Sequence, residues 1–345
     1  MRIVLDAMGS DHAPQVDVDG GVRAARRFGQ EIILVGREEL IRRELAQYDT
    51  SGLKVSVVHA EQVIDMGEHP SEAVRNKPNS SMVVGMKLVR DGQADAFVSA
   101  GNSGGVLATA LVSVGRLERI RGVQRPAIST VLPTAREKSL LLDIGANTDC
   151  KPDLLAQFAL MGSAYAKVLG VPNQRVALLA NGEEDTKGNA AVQAAHAMLR
   201  QFPAKLLNFV GNVEGKDIVQ GMVDVIVCDG FVGNVALKTA EGVFAMMLAF
   251  IKDEIKAHQL TSLGGLLAKP AFKVVARRLD YREYGGAPLL GVNGVVIIAH
   301  GRSDALAMEN AMRVAINAVE NKLVEHIRQD VETALPLLAS LTKET

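Results

Sequence analysis

Residues 223–239, VDVIVCDGFVGNVALKT, constrain this chain more than any other stretch. Strand-forming residues run from Val223 to Val227 with only Asp224 interrupting; Asp229, Gly230, Gly233 and Asn234 then turn the chain into a helical pattern. The turn therefore falls at the carboxyl end of a strand, where open α/β sheets bind ligands. Glycines there let backbone N–H groups approach a ligand, and a helix start adds partial positive charge, so the geometry favours an anion such as phosphate. A tight turn without a ligand has the same sequence. Repetition sharpens the reading: in residues 94–106, ADAFVSAGNSGGV, Asp95 matches Asp224, Gly101 matches Gly230 and Gly104 matches Gly233. Two such turns predict two strand ends facing one crevice.

At 345 residues the chain exceeds the size at which one core usually stops growing, so it forms either two lobes or one large α/β domain. The balance of 38 basic against 39 acidic residues, with 4% aromatic, argues against a nucleic-acid partner. Cys150 and Cys228 have no C-x-x-C spacing, which predicts neither a disulfide framework nor a zinc site and fits a reduced, cytoplasmic setting. The apolar run after Met1 is too short for a signal peptide, and no stretch is expected to span a bilayer.

Strand patterns at 2–5, 32–35, 55–59, 96–99, 127–132, 140–144, 175–180, 208–211 and 295–299 alternate with helical ones, including 38–47, 82–90 and 190–200. This rhythm predicts a mostly parallel sheet. One long helix is expected over 305–331, and residues 336–345 read as a loosely ordered tail.

Several polar residues fall at strand ends. Asp6, followed by Asp11 and His12, orients a ligand or simply holds a turn. Arg75 and Lys77 sit in an irregular stretch and either place cations near the crevice or decorate a solvated loop. Asp143 and Asn147 read as ligand contacts or as caps of the helix after Pro152. Lys187 follows Glu183, Glu184 and Asp185 and directly precedes a helix, the position for a phosphate-holding cation, although such a run is also ordinary solvated loop. His300, at a strand end before Gly301 and Ser303, is suited to proton transfer or to a backbone hydrogen bond.

Residues 250–284 break the rhythm and read as a protruding hairpin. Leu263, Leu266 and Leu267 recur at helical spacing, Gly264-Gly265 loosens the run, and Pro270 is expected to start a second helix. Lys269, Lys273, Arg277 and Arg278 flank these apolar positions. Such a hairpin fits a bilayer interface, an acyl chain, an acidic carrier protein or a partner subunit.

The motifs DAMGSDHAP (6–14), NSSM (79–82), VSAGNSGG (98–105), LLDIGANTD (141–149), GEEDTKGN (182–189), VCDGFVGNVALKT (227–239), YGGAPLLG (284–291) and AHGRSD (299–304) run nearly end to end. Together they resemble the bacterial phosphate acyltransferases of phospholipid synthesis, which transfer a fatty acyl group from acyl carrier protein to inorganic phosphate. The resemblance implies a three-layer α/β/α fold over residues 1–335, similar to phosphotransacetylases and isocitrate dehydrogenase-like proteins, as one body or as two lobes around a cleft. It implies a homodimer with the active site near its interface, no cofactor or metal, and peripheral attachment to the inner face of the cell membrane, where a membrane glycerol-phosphate acyltransferase would act next. Lys187 and Asn234 are the residues it marks for activity; for such a reaction His300 or Asp229 is expected to manage a proton. Phosphate and substrate contacts are expected on Asp6, Gly101, Asn102, Ser103, Gly104, Asp143, Asn147, Gly230, Gly233 and Ser303. The chain departs from the family where GNSGG replaces the usual GNTGA, Val232 a threonine and Ile298 a lysine. Two other readings compete: an NAD-dependent hydroxy-acid dehydrogenase, for which the strand–G-x-G-x-x-G–helix is missing, and a non-catalytic membrane-docked scaffold for acyl carrier protein.

Overall fold

A computed structural model describes residues 1–136 and 138–341. The strands are β1 (Arg2–Asp6), β2 (Glu31–Gly36), β3 (Val55–His59), β4 (Ala96–Ser99), β5 (Ala127–Pro133), β6 (Lys138–Leu142), β7 (Val176–Leu179), β8 (Phe209–Val213), β9 (Val225–Val227), β10 (Ala287–Leu290) and β11 (Val295–Ile298). The helices are α1 (Gln15–Phe28), α2 (Glu38–Leu45), α3 (Pro70–Asn76), α4 (Ser81–Arg90), α5 (Ser103–Val112), α6 (Pro152–Val168), α7 (Ala190–Leu199), α8 (Gly230–Ala257), α9 (Gln259–Leu279), α10 (Tyr281–Tyr284), α11 (Ala305–Glu320) and α12 (Leu323–Leu341).

All the strands join one sheet in the order β3-β2-β1-β4-β11-β10-β5-β6-β9-β7-β8. Alternation within each strand sends side chains to both faces. Ile3 and Leu5 of β1 enter a core shared with α1, α6, α11 and α12, whereas Val4 between them packs with Met82 and Met86 of α4 and Val106 of α5. Burial on both faces is what a parallel strand covered by helices requires. In the second half of the sheet Leu140, Leu142, Val225 and Val227 join the first core, while Leu141 and Ile226 join a third cluster touched by Ala236 and Leu237 of α8. The result is the expected three-layer α/β/α arrangement, with one core layer continuous across both halves.

The sheet is mostly parallel, as expected, but its strand sense reverses in the middle. β3, β2, β1, β4 and β11 run parallel, as do β6, β9, β7 and β8. Between these blocks, β11/β10, β10/β5 and β5/β6 are all antiparallel. Three reversals leave the second block running opposite to the first, so β4 and β9 are neither neighbours nor codirectional. The glycine bends that follow them cannot close on one crevice as adjacent parallel ends.

Two other expectations change. The helix expected over 305–331 is broken at Asn321 and Lys322, the latter at φ 51°, and restarts as α12. The tail is helical to Leu341 because Leu338 and Leu341 are buried in the main core; residues 342–345 lie outside the described residues. In the hairpin, Pro270 lies inside α9 instead of opening a helix, and the run continues through Gly264-Gly265. Gly265 is needed for close approach, since a Cβ there would sit 2.4 Å from Cγ2 of Ile255 on α8.

Leu338→Ala is expected to lower unfolding stability by about 2–4 kcal/mol through the lost burial and the cavity left behind. A urea midpoint within error of the parent would show that α12 does not seal the core.

Candidate active site

The first group of site residues gathers at the carboxyl ends of β1, β4 and β11. Asp6 is fully buried; its carboxylate accepts a hydrogen bond from Ser99 Oγ at 2.8 Å and one from the Met8 amide at 3.1 Å. Burial pushes the Asp6 carboxyl above the usual range, opposed by hydrogen bonds from Ser81, Ser99 and Met8. Ser99 Oγ in turn accepts from the Gly101 amide at 3.0 Å, so Asp6 holds the first bend through Ser99. Gly9 packs so tightly on this bend that an added Cβ would lie 2.7 Å from the Gly101 nitrogen. Asn102 is an N-cap: its Oδ1 accepts from the Gly105 amide at 3.1 Å and its Nδ2 donates to the Met66 carbonyl at 3.0 Å and the Glu68 carbonyl at 3.2 Å. Its side chain is thereby spent on the fold. Among the described residues no hydrogen bond is seen from the amides of Ser103 and Gly104, which are what the bend offers to an anion.

His300 lies just past β11, its Nδ1 accepting from the Arg302 amide at 3.2 Å. Its pKa is lowered by burial and by the charges of Lys238 and Arg302, which keeps the imidazole neutral at physiological pH. Ser303 is buried, with its amide bonded to the His300 carbonyl at 2.8 Å. Lys238 belongs to α8, which starts at the second bend. This helix, not a shared strand sense, brings the second half against the tips of the first.

The second group surrounds Asp143. Oδ1 accepts from the amides of Ile128 (3.0 Å), Gly145 (3.2 Å) and Ala146 (3.1 Å), and Oδ2 from the Asn147 amide (2.6 Å) and Asn147 Nδ2 (3.0 Å). Both oxygens of this buried carboxylate are committed, so Asp143 organises the loop rather than binding substrate. Asn147 is equally committed: Nδ2 also donates to the Pro126 carbonyl at 2.8 Å, and its own carbonyl accepts from the Gly230 amide at 2.6 Å.

The second bend uses most of its own donors. Besides Gly230, the Val232 amide donates to Asp229 Oδ1 at 2.8 Å and the Gly233 amide to the Asp229 carbonyl at 3.0 Å. Asp229 is thus the N-cap of α8. The nest of free N–H groups expected here is largely absent, because capping satisfies them. The glycines serve close packing: a Cβ on Gly233 would lie 2.0 Å from the Asp143 carbonyl oxygen, and one on Gly230 2.8 Å from Asp143 Oδ2. Asn234, one turn on, is exposed and donates from Nδ2 to the Ile144 carbonyl at 3.0 Å.

Lys187 is exposed in the loop before α7, its methylenes folded over Gly182. The loop is held by the Gly188 amide donating to Asn181 Oδ1 at 2.8 Å and by the Lys187 amide donating to the Glu184 carbonyl at 3.1 Å. His196, invisible as a site residue in the sequence, bonds Asn212 at 3.0 Å, and Asn212 Nδ2 donates to that same Glu184 carbonyl at 2.8 Å. Among the described residues Lys187 forms no salt bridge. A cavity of about 460 Å³ is lined by Asn181, Gly188, Asn189, Cys228, Asp229 and Val232, so the lysine-bearing loop and the second bend face the same space. Lys77, in contrast, pairs with Glu68 at 2.6 Å and braces its own loop. Burial pushes the Cys150 thiol up to about 12 and the Cys228 thiol well above its ordinary value, so neither is a thiolate nucleophile at neutral pH.

The profile of a protein family described as "Fatty acid synthesis protein" matches residues 1–326. A phosphate acyltransferase from Pelotomaculum thermopropionicum is 52% identical over 334 residues, covering 96% of each chain. One from Geobacter sulfurreducens is 46% identical, covering 96% of this chain and 95% of its own. The chain belongs to the phosphate acyltransferase family. It is an acyltransferase of lipid synthesis. Among solved structures, a phosphotransacetylase from Staphylococcus aureus superposes with TM-score 0.60 at 18% identity, covering 93% of this chain and 94% of that one. A 4-hydroxythreonine-4-phosphate dehydrogenase from Klebsiella pneumoniae gives TM-score 0.51 at 15% identity, covering 92% and 98%. These likenesses bear on the fold alone.

Asp17, on α1, is fully buried; Oδ2 accepts from Ser10 Oγ at 2.8 Å, while Oδ1 has no hydrogen-bond partner among the described residues. Burial pushes its carboxyl up to about 8, against about 3.9 in an unfolded chain. Between these values the folded state keeps a proton that the unfolded state has lost, so stability falls as pH rises from about 4 to about 8. Asp17→Asn is expected to flatten that decline, read as urea midpoints at about pH 5 and about pH 8; identical slopes in parent and variant would refute the assignment.

Proposed function

We propose that this protein reversibly transfers a fatty acyl group from an acyl carrier protein thioester to inorganic phosphate, giving an acyl phosphate for phospholipid synthesis. The observation that carries the reading is the cavity shared by the Lys187 loop and the Asp229–Asn234 bend, in a chain about half identical to phosphate acyltransferases along nearly its whole length. A phosphate oxygen attacks the thioester carbonyl, the tetrahedral oxyanion collapses, the carbon–sulfur bond breaks, and free thiol leaves beside the acyl phosphate. Lys187, exposed in the loop whose Asn181 and Gly188 line the cavity and without a salt bridge among the described residues, neutralises phosphate. The exposed amide of Asn234 donates to the oxyanion with the hydrogen that Ile144 does not take. Phosphate dianion needs no base; the neutral His300 accepts a proton when the monoanion binds.

The reading extends to where the protein works. In α8 an 18-residue window is apolar enough, by length and composition, to cross a bilayer, and no part of that window is buried within the chain. No stretch was expected to span a bilayer, and Lys238 and Glu241 do interrupt this run. The first turn of α8 is anchored in the domain at Gly230 and Gly233, so its apolar side is a face to be covered. On α9, Leu260 and Leu267 are 82% and 78% exposed, and Lys269, Lys273 and Arg278 lie alongside. We assign α9 to an anionic membrane surface and the apolar side of α8 to a second copy of the chain. The protein would then sit on the cytoplasmic face of the membrane as a homodimer, handing its product to a membrane glycerol-phosphate acyltransferase.

Thiol release from acyl carrier thioester should require added phosphate; release without phosphate would make the protein a thioesterase. Lys187→Ala should lower kcat/KM for phosphate by about a hundredfold or more, and full turnover at low phosphate would remove the lysine from this role. Leu263→Glu with Leu267→Glu should abolish flotation with phosphatidylglycerol vesicles, and flotation equal to the parent would place the membrane contact elsewhere.

A further inference from the structure

Beyond α5, residues 113–126 (SVGRLERIRGVQRP) cross the rim of the sheet as a loop with a strict division of labour. Leu117, Ile120 and Val123 are buried and peg the segment down, while Arg116, Arg119, Arg121 and Arg125 are exposed. The backbone is fixed as well. The Ile120 amide donates to the Gly291 carbonyl at 3.0 Å, Asn293 Nδ2 to the Arg119 carbonyl at 2.9 Å, and Gln157 Nε2 to the Gly122 carbonyl at 3.1 Å. Three guanidinium groups, those of Arg116, Arg121 and Arg125, are thus displayed from a rigid base, while Arg119 donates to the Gln124 carbonyl of the same loop; within the segment the one acid is Glu118, 3.8 Å from Arg116, and Asp153 borders it, accepting from Gln124 Nε2 at 2.6 Å.

Two adjoining cavities, of about 790 and 720 Å³, share Val112, Arg116 and Glu118 as walls. Val112 and Val114 are 55% and 64% exposed between the arginines. The larger cavity extends from this rim past Leu107 and Leu111 to Ala146 and Asn147, the loop on which the second bend is built. A concentration of positive charge in a chain of net charge −1 is a local feature, and it lies at one end of a passage toward the candidate site. Guanidinium groups match carboxylates in fork geometry, and a small apolar centre ringed by charge is the make-up of a transient protein contact. Only two small valines project here, with no long apolar side chain to enter a bilayer, and no aromatic residue lines either cavity to stack on a base.

We propose that this arginine-ringed rim docks an acidic carrier protein that delivers the acyl donor, separately from the α8–α9 hairpin. The inference rests on the carrier-thioester reading above. Carboxylates on one face of the carrier meet Arg116, Arg121 and Arg125, and the tethered thioester passes along the cavity toward Asn147.

The test uses the full chain with Arg116→Glu and Arg121→Glu together, neither residue belonging to the catalytic machinery. For acyl-free carrier protein, Kd measured by calorimetry should weaken about tenfold or more and lose much of its salt dependence. KM for the carrier thioester should rise by about the same factor, with kcat unchanged, while turnover of the same acyl group on N-acetylcysteamine stays at the parent rate. Arg116→Lys with Arg121→Lys should retain most of the binding. Unchanged carrier Kd and KM would overturn the proposal, as would equal loss with both donors, which marks damage to the fold or the chemistry. Loss of vesicle flotation with carrier binding intact would overturn it in favour of a lipid surface. If the parent shows no phosphate-dependent thiol release from either donor, the catalytic reading fails, while a charge-reversal loss of carrier binding still supports the docking surface.

Discussion

A single buried carboxylate, Asp143, sets the geometry of the second half of the protein. Its five hydrogen-bond donors come from Ile128 on β5 and from the loop 145–147, and that loop receives the Gly230 amide. A buried anion is tolerable only when its hydrogen-bonding capacity is filled. Here filling it ties three chain segments to one point. Gly233 and Gly230 then have to be glycine, since their Cα atoms press directly on this residue. The direction in which α8 leaves, the position of Asn234 and the placement of Lys238 near His300 all follow.

The first half repeats the device with different chemistry. Asp6 reaches its bend through the hydroxyl of Ser99, and Gly9 seats against Gly101. In both halves an acid at a strand end fixes a glycine bend and leaves few backbone donors over. What remains for a substrate is modest: the first amides of α5, one side of Asn234, the Lys187 ammonium and the imidazole of His300.

Much of the architecture was legible in the chain. Continuous apolar strands bounded by glycine and polar turns gave nearly all the strands, and both bends fall where the pattern put them. The roles of the polar residues were less legible. Asp143, Asn147, Asn102 and Asp229 belong to types that either cap or bind, and only remote partners such as the Ile128 amide or the Met66 carbonyl decide between the two. Strand sense was hidden for a similar reason. Nothing local in β10 or β6 records whether a neighbour runs with it or against it. Arg116, Arg121 and Arg125 carry no local signal that sets them apart from solvated charge; only the burial of Leu117, Ile120 and Val123 makes the segment a fixed display.

β10 joins the halves with only two residue pairs on each side: Ala287 and Pro288 with β11, Leu289 and Leu290 with β5. Pro288 contributes no N–H to that ladder. Elsewhere a sheet resists bending across its strands because every rung must stretch; at this seam there are few rungs to stretch. What ties the two halves together is therefore less the ladder than the apolar layer of α1, α6, α11 and α12 that runs beneath both.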